Sequence, residues 1–276
     1  MDMRIRWAMD AQGVADVQLA RPDKMNALDG AMFLALEQTL AELRALPGLR
    51  AVVLHGEGKA FCAGLDMAGF AAMAGAPGAA PGMTQDLGPR THGAANRPQH
   101  EALGWRELPV PVFAALHGVA FGGGLQIALG ADVRLLAPTT RLSVMEIKWG
   151  IVPDMAGMVL TRGLVRDDVL RELVYSGRVV AAEEAVALGL ATRLCDDPLA
   201  QARALAQAVA QQNPHAVRAA KRLLNQSVGV VGGVGDMTAA ALLQAESDEQ
   251  TPLIGSRNQT EAVRANLEKR SPRFQD

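Results

Sequence analysis

Three successive glycines, Gly122-Gly123-Gly124, stand between an apolar run that ends at Leu116 and a helix-like stretch, Leu125–Leu129. Glycine costs roughly 1 kcal/mol relative to alanine inside a helix. Three of them at a helix start therefore require that something come close to the backbone. That neighbour is either another segment packed against the helix or a ligand. A helix N-terminus carries free N–H groups and the positive end of the peptide dipole, so the fitting ligand is an oxygen that gains negative charge. This turn alone favours packing. A second glycine-containing turn, Gly58-Lys59-Ala60-Phe61-Cys62-Ala63-Gly64-Leu65-Asp66, also follows a strand-like run.

The first half of the chain alternates strand and helix patterns. Val14–Leu19 reads as a strand with Val17 and Leu19 on one face. Asp29 reads as the N-cap of a helix over Gly30–Leu46, with Met32, Phe33, Leu36, Leu40 and Leu43 at helical spacing and Pro47-Gly48 as its stop. Ala51–Leu54 and Val110–Leu116 are apolar strands. Val133–Ala137 and Arg141–Val144 read as a further pair turning at Pro138. Later segments, 166–175, 181–188, 198–212, 214–227 and 236–249, have helical patterns. This order predicts an α/β core with a helical C-terminal extension. Residues 67–104 are dense in Gly, Ala and Pro, with weak periodicity. They form a long connection that is either a tolerated surface insertion or a functional segment.

Composition removes several classes of function. The net charge is -2, without a Lys/Arg run able to track a phosphate backbone, so nucleic acid is not an expected partner. The N-terminus does not read as a secretory signal, and apolar stretches are broken before membrane-spanning length, so no membrane partner is expected. Two distant cysteines, Cys62 and Cys195, fit a reducing cytoplasm. Gly58-Lys59 lacks the spacing of a P-loop, and neither a nucleophile elbow nor an H-E-x-x-H motif is present. The five histidines are never paired at metal-ligand spacing, so no metal is expected. The triple glycine lacks the spacing of a dinucleotide fingerprint.

Together the two turns resemble a family. GEGKAFCAGLDM, followed by PVFAALHGVAFGGGLQIALGAD, is similar to the crotonase superfamily, which includes enoyl-CoA hydratases and isomerases. Arg21–Leu28 resembles its first coenzyme A-contacting turn, and Ser143–Pro153 its catalytic-glutamate segment. Ser176-Gly177-Arg178, Ala185–Leu190 and Glu268-Lys269-Arg270 resemble later signatures. The resemblance implies a crotonase-like α/β spiral of ββα units over residues 1–198, with a helical C-terminal region over 199–276 used for trimerisation. It implies a homotrimer or a dimer of trimers. Coenzyme A enters as part of an acyl-CoA thioester substrate, with no separate cofactor. The backbone N–H groups of Leu65 and Gly123 would form an oxyanion hole for the thioester enolate. Lys24, Met25, Ala27, Ala63, Asp66, Met67 and Gly122 would contact substrate or coenzyme A, with Lys269 reaching in from a neighbouring subunit. Phe70, Met73 and the 67–104 connection would line the acyl tunnel.

The carboxylates decide the reaction. Glu146 matches the family's main acid/base glutamate; the plain alternative is a surface ion pair with Lys148. Hydratases carry a second glutamate where this chain has Gln126, and a neutral amide is no general base. Asp154, eight residues after Glu146, matches the second acid of dienoyl-CoA isomerases, although those enzymes also carry an acid at the Gln126 position. The plain alternative for Asp154 is a helix N-cap after Pro153. The leading expectation is an enzyme that isomerises an enoyl- or dienoyl-CoA double bond by proton transfer. The alternatives are hydration of a 2-enoyl-CoA by Glu146, with Gln126 placing the water, and a non-catalytic acyl-CoA-binding subunit.

Overall fold

The computed structural model describes residues 3–67, 87–228, 252, 254 and 256–275. Phe70, Met73 and the helix expected over 236–249 lie outside the described residues. Six strands form one sheet: β1 (Ile5–Met9), β2 (Val14–Leu19), β3 (Ala51–Gly56), β4 (Val112–Leu116), β6 (Val133–Leu136) and β9 (Arg193–Leu194). β1 pairs antiparallel with β2, and the remaining pairs are parallel. A smaller sheet holds β5 (Val119–Phe121), β7 (Arg141–Ser143) and β8 (Val180–Ala181). The described helices are α1 (Gly30–Ala45), α2 (Arg97–Glu107), α3 (Gly123–Gly130), α4 (Gly157–Leu160), α5 (Asp167–Ser176), α6 (Ala182–Ala187), α7 (Pro198–Ala210), α8 (Pro214–Ser227) and α9 (Arg257–Leu267).

The central strands are buried on both faces, as parallel strands covered by helices must be. Val52 and Leu54 of β3 join the main core with Met32, Leu36, Leu40 and Leu43 of α1 and Leu125 and Ile127 of α3. Ala51 and Val53 face the other way, into a second core with Phe113, Leu135 and the α7 alanines Ala202 and Ala206. Small side chains on α7 let that helix lie close across the sheet. Asp16 of β2 holds it there, accepting from Arg203 at 2.7 Å and bonding His55 at 2.7 Å. The first helix begins where the sequence indicates, with the Asp29 side chain accepting the Met32 N–H at 2.8 Å.

Two expectations are corrected, and one strand goes beyond them. The strands over 133–137 and 141–144 do not pair with each other. β6 lies in the large sheet and β7 in the small one, because the backbone groups of β7 are taken by β5 and β8. The connection over 67–104 ends in helix: α2 starts at Arg97 behind a capping box between Asn96 and Gln99. Its polar exposed face had masked the buried face of Ala102 and Trp105. β1 was not anticipated either. Its alternation rests on Ile5, Trp7 and Met9, with arginine and alanine between them.

A buried amide shapes the turn before α1. Asn26 is fully buried, and its Nδ2 lies 2.8 to 3.1 Å from the carbonyl oxygens of Ala60, Glu57 and Phe61. Its Oδ1 accepts the Arg21 N–H at 2.8 Å. Asn26→Ala leaves several buried backbone groups unsatisfied and should destabilise the chain by about 2–4 kcal/mol, read by chemical denaturation.

Glu101 of α2 is 0% exposed, and neither carboxyl oxygen has a hydrogen-bond partner. Burial pushes its carboxyl from 4.5 up to about 9, with Arg97 opposing the shift and Glu37 reinforcing it. Between those values the folded chain keeps a proton that the unfolded chain releases, so stability falls as pH rises across the window. Glu101→Gln removes that slope. The variant should melt above wild type at about pH 8 and level with it at about pH 4.

Candidate active site

The site grows from two turns that run side by side. The Cys62 N–H donates to the Val119 carbonyl at 3.1 Å, and the Phe121 N–H returns to the Cys62 carbonyl at 3.1 Å. That is a short parallel ladder centred on Cys62 and Ala120. The register brings Gly64 against Gly122, and Leu65 and Gly123 follow. Gly64 has φ +89°, and a Cβ there would lie 2.6 Å from the Phe121 carbonyl oxygen. Each glycine of the triple answers a different constraint. Gly122 has φ +51°, which L side chains rarely adopt. A Cβ on Gly123 would meet Met155 Sδ at 2.8 Å, and one on Gly124 would meet Cys62 Sγ at 2.8 Å. Packing and backbone conformation both operate in this turn.

The ladder leaves two N–H groups unused. In the parallel bridge between Leu28 and Leu65, Leu28 donates to the Gly64 carbonyl at 2.8 Å and accepts from Asp66 at 3.0 Å. Leu65 lies between those two bonded residues, so its own N–H points away from Leu28. Gly123 opens α3 and has no carbonyl one turn back to receive its N–H. No hydrogen bond among the described residues uses either group. At its far end α3 is capped by cations: Arg106 donates to the carbonyls of Leu129 and Ala131, and Arg134 to that of Ala131 at 2.6 Å. Positive charge at the C-terminus reinforces a dipole whose positive end faces the Gly123 N–H.

Glu146 sits beside this N-terminus, on the turn that leaves β7. Its Oε1 lies 3.5 Å from the position a Gly122 Cβ would occupy. The residue is 6% exposed. Gln126, 3% exposed, donates from Nε2 to Glu146 Oε1 at 2.6 Å. Glu146 Oε2 is buried without a hydrogen-bond partner. Desolvation raises the Glu146 pKa, opposed by its own backbone N–H and by the Gln126 hydrogen bond, and the charge of Asp154 raises it further. The Asp154 pKa is also raised by burial. The two carboxyls are therefore electrostatic neighbours. Neither plain alternative describes them: Glu146 forms no ion pair with Lys148, and the N-cap of α4 is Ala156 rather than Asp154.

Other predicted residues fall in three groups. Met25, Ala27, Ala63, Asp66 and Met67 adjoin the first turn, stitched by the Ala63 N–H donating to the Met25 carbonyl at 2.9 Å. Lys24 and Met25 are exposed there, as is Met67. The Asp66 side chain is paired with Arg21, which also reaches Asp29 and the Ala27 carbonyl, so Asp66 orders the turn through its carboxylate. Lys269 is exposed with φ +54°, and no hydrogen bond or ion pair among the described residues joins it to these turns. Sequence reasoning missed the part played by Asn26, Arg21 and Met155. A buried Asn with φ +55° leaves no mark in hydrophobic periodicity, and Met155 packs over Gly123 only through the fold.

The profile of the Enoyl-CoA hydratase/isomerase family matches residues 10–276. The chain belongs to that family. A Thermus thermophilus protein named "Putative enoyl-CoA hydratase" is 37% identical over 264 residues, covering 95% of this chain and 97% of that protein. The crystal structure of an enoyl-CoA hydratase from Bacillus anthracis superposes with a TM-score of 0.84 at 27% identity, covering 98% of each chain. One titled "putative enoyl-CoA hydratase" from Streptomyces coelicolor A3(2) gives 0.85 at 32% identity, covering 100% of this chain and 95% of that one. The α/β fold is thus the crotonase fold, and the chain is an enzyme of the hydratase/isomerase family acting on acyl-CoA thioesters. No helix among the described residues is long and apolar enough to cross a membrane.

The coupling of Glu146 to Asp154 gives a direct electrostatic test. Asp154→Asn removes a negative neighbour, so Glu146 should ionise at lower pH than in wild type. Carbon-13 NMR of labelled glutamate, with Glu146 assigned by its loss in Glu146→Gln, reads the shift.

Proposed function

We propose that this enzyme shifts a double bond in an enoyl- or dienoyl-CoA by proton transfer between Glu146 and Asp154. The observation that carries the reading is Glu146, buried against Gly122 at the start of α3 and close enough to Asp154 to feel its charge. Ionised Glu146 removes a proton from the carbon next to the thioester carbonyl. The electron pair moves into the carbonyl, and the Leu65 and Gly123 N–H groups receive the enolate oxygen. Two such donors, held before charge develops, are each worth about 3 kcal/mol in acyl-group chemistry. Asp154, with its pKa raised by burial, delivers a proton farther along the conjugated chain. Two carboxyls in one water-poor wall cannot both ionise freely, which supports one base and one acid.

Gln126 supports isomerisation over water addition. Its carbonyl oxygen accepts the N–H groups of Met155 and Gly157, both at 2.9 Å, and its amide donates to Glu146. The side chain offers no second base for water. Hydration by Glu146 alone is the second reading, favoured by relatives named as enoyl-CoA hydratases. The coenzyme A portion would lie along Lys24, Met25, Ala27, Ala63, Asp66, Met67 and Gly122. Lys269 would come from a neighbouring subunit of a homotrimer or dimer of trimers. Exposed Ile147, Trp149, Val152, Met158 and Tyr175 around the catalytic turn support such an assembly.

Separate assays with 2-enoyl-, 3-enoyl- and 3,5-dienoyl-CoA decide between the readings. Migration of the double bond is expected, with Glu146→Gln and Asp154→Asn each lowering kcat by about 10²–10⁴-fold. Rapid conversion of the 2-enoyl thioester to a 3-hydroxyacyl product, retained in Asp154→Asn, favours hydration instead. Thioester binding without turnover across the panel would make the chain a binding subunit.

A further inference from the structure

Gln126 touches both arms of the acid–base wall. Met155 and Gly157 can only donate through their backbone N–H groups, so they fix the amide's orientation, with its oxygen toward residues 155–157 and its nitrogen toward Glu146. Asp154 is bonded directly to Met155. Gly157 makes room for the contact, since a Cβ there would lie 2.8 Å from Gln126 Oε1. One amide thus spans from Glu146 to the backbone that carries Asp154. It engages only one of the two Glu146 oxygens.

We propose that Gln126 is a positioning residue that clamps Glu146 through Oε1 and fixes Asp154 by pinning residues 155–157. This rests on the reading of Glu146 as the acid–base group. An amide does both tasks. A glutamate at 126 could accept from the two N–H groups but would have nothing to donate to an ionised Glu146. An apolar side chain could do neither. Donation from Gln126 stabilises the ionised carboxylate, so its loss raises the proton affinity of Glu146. Among the described residues, Asp154 is the charged group whose field acts on Glu146. The comparison is therefore repeated in an Asp154→Asn background.

The test compares wild type with Gln126→Met and Gln126→Glu. Carbon-13 NMR of labelled glutamate titrates Glu146, and Gln126→Glu/Glu146→Gln assigns the extra carboxyl. Exchange of solvent deuterium into the carbon next to the carbonyl of a saturated acyl-CoA follows enolate formation whatever the net reaction. The Glu146 midpoint should rise by about one pH unit in Gln126→Met, a tenfold change in proton affinity, and by more in Gln126→Glu, where the added carboxylate repels the ionised form. The pH profile of exchange should move with it. Gln126→Asn adds no charge and carries an amide one methylene too short to reach both Glu146 and residues 155–157, so it carries the test, with the same expected rise, if Gln126→Met does not fold. An unmoved Glu146 midpoint overturns the proposal, including when stability falls, because Gln126 would then be structural only. A wild-type protein in which the midpoint moves on substitution but no deuterium exchanges overturns the enolate reading and leaves the clamp standing.

Discussion

The backbone pairing of Cys62 with Val119 and Phe121 is the contact on which the site depends. It aligns the turn that follows β3 of the large sheet with β5 of the small one, and it does so without side chains. Gly64 meets the Phe121 carbonyl closely enough to exclude a Cβ, and Gly124 meets Cys62 in the same way. Leu65 and Gly123 each follow the close approach of Gly64 to Gly122, and no hydrogen bond among the described residues uses their N–H groups. A hydrogen-bonding partner for either group within the chain would occupy it. The bridge to Leu28 passes over Leu65, and α3 begins at Gly123, so both groups remain available.

The second constraint is desolvation. Glu146 is carried into the interior by the turn after β7 and receives one hydrogen bond, from Gln126. A carboxylate in that setting holds a proton more tightly than it does in water, and Asp154 adds to the effect. The same physics acts on Glu101, which is buried deep between helices with no hydrogen-bond partner. The difference lies in the surroundings. Glu146 adjoins unused N–H groups and a second acid, whereas the groups acting on Glu101 are Arg97 and Glu37. Burial alone therefore does not mark a candidate acid–base carboxyl.

Much of the fold was legible because its signals are local. The Asp29 cap, the spacing along α1 and the apolar runs of β2, β3 and β4 depend on neighbours a few residues away. What escaped has a long-range cause. Arg141–Ser143 looks like the return strand of a hairpin from β6, but β5 and β8 take its backbone groups. The buried face of α2 is small and interrupted by Glu101, so the polar face dominates its sequence. At the site, the two turns and the acidic positions could be named from sequence. That Asp66 pairs with Arg21, and that the Gln126 amide bonds both Glu146 and the 155–157 backbone, could not.

The sequence by itself determined the family and the two glycine turns, and it named an amide and two acids as candidates for the chemistry. These are matters of residue identity and spacing. Only the tertiary structure decided how those groups face one another. It placed Gln126 between Glu146 and the backbone after Asp154, left one oxygen of Glu146 bare, and put Ala156 at the start of α4 where an Asp154 cap was the plain alternative. Proton affinity and hydrogen-bond direction depend on burial and on a few ångströms of separation between residues distant in sequence, and those quantities exist only once the chain has folded.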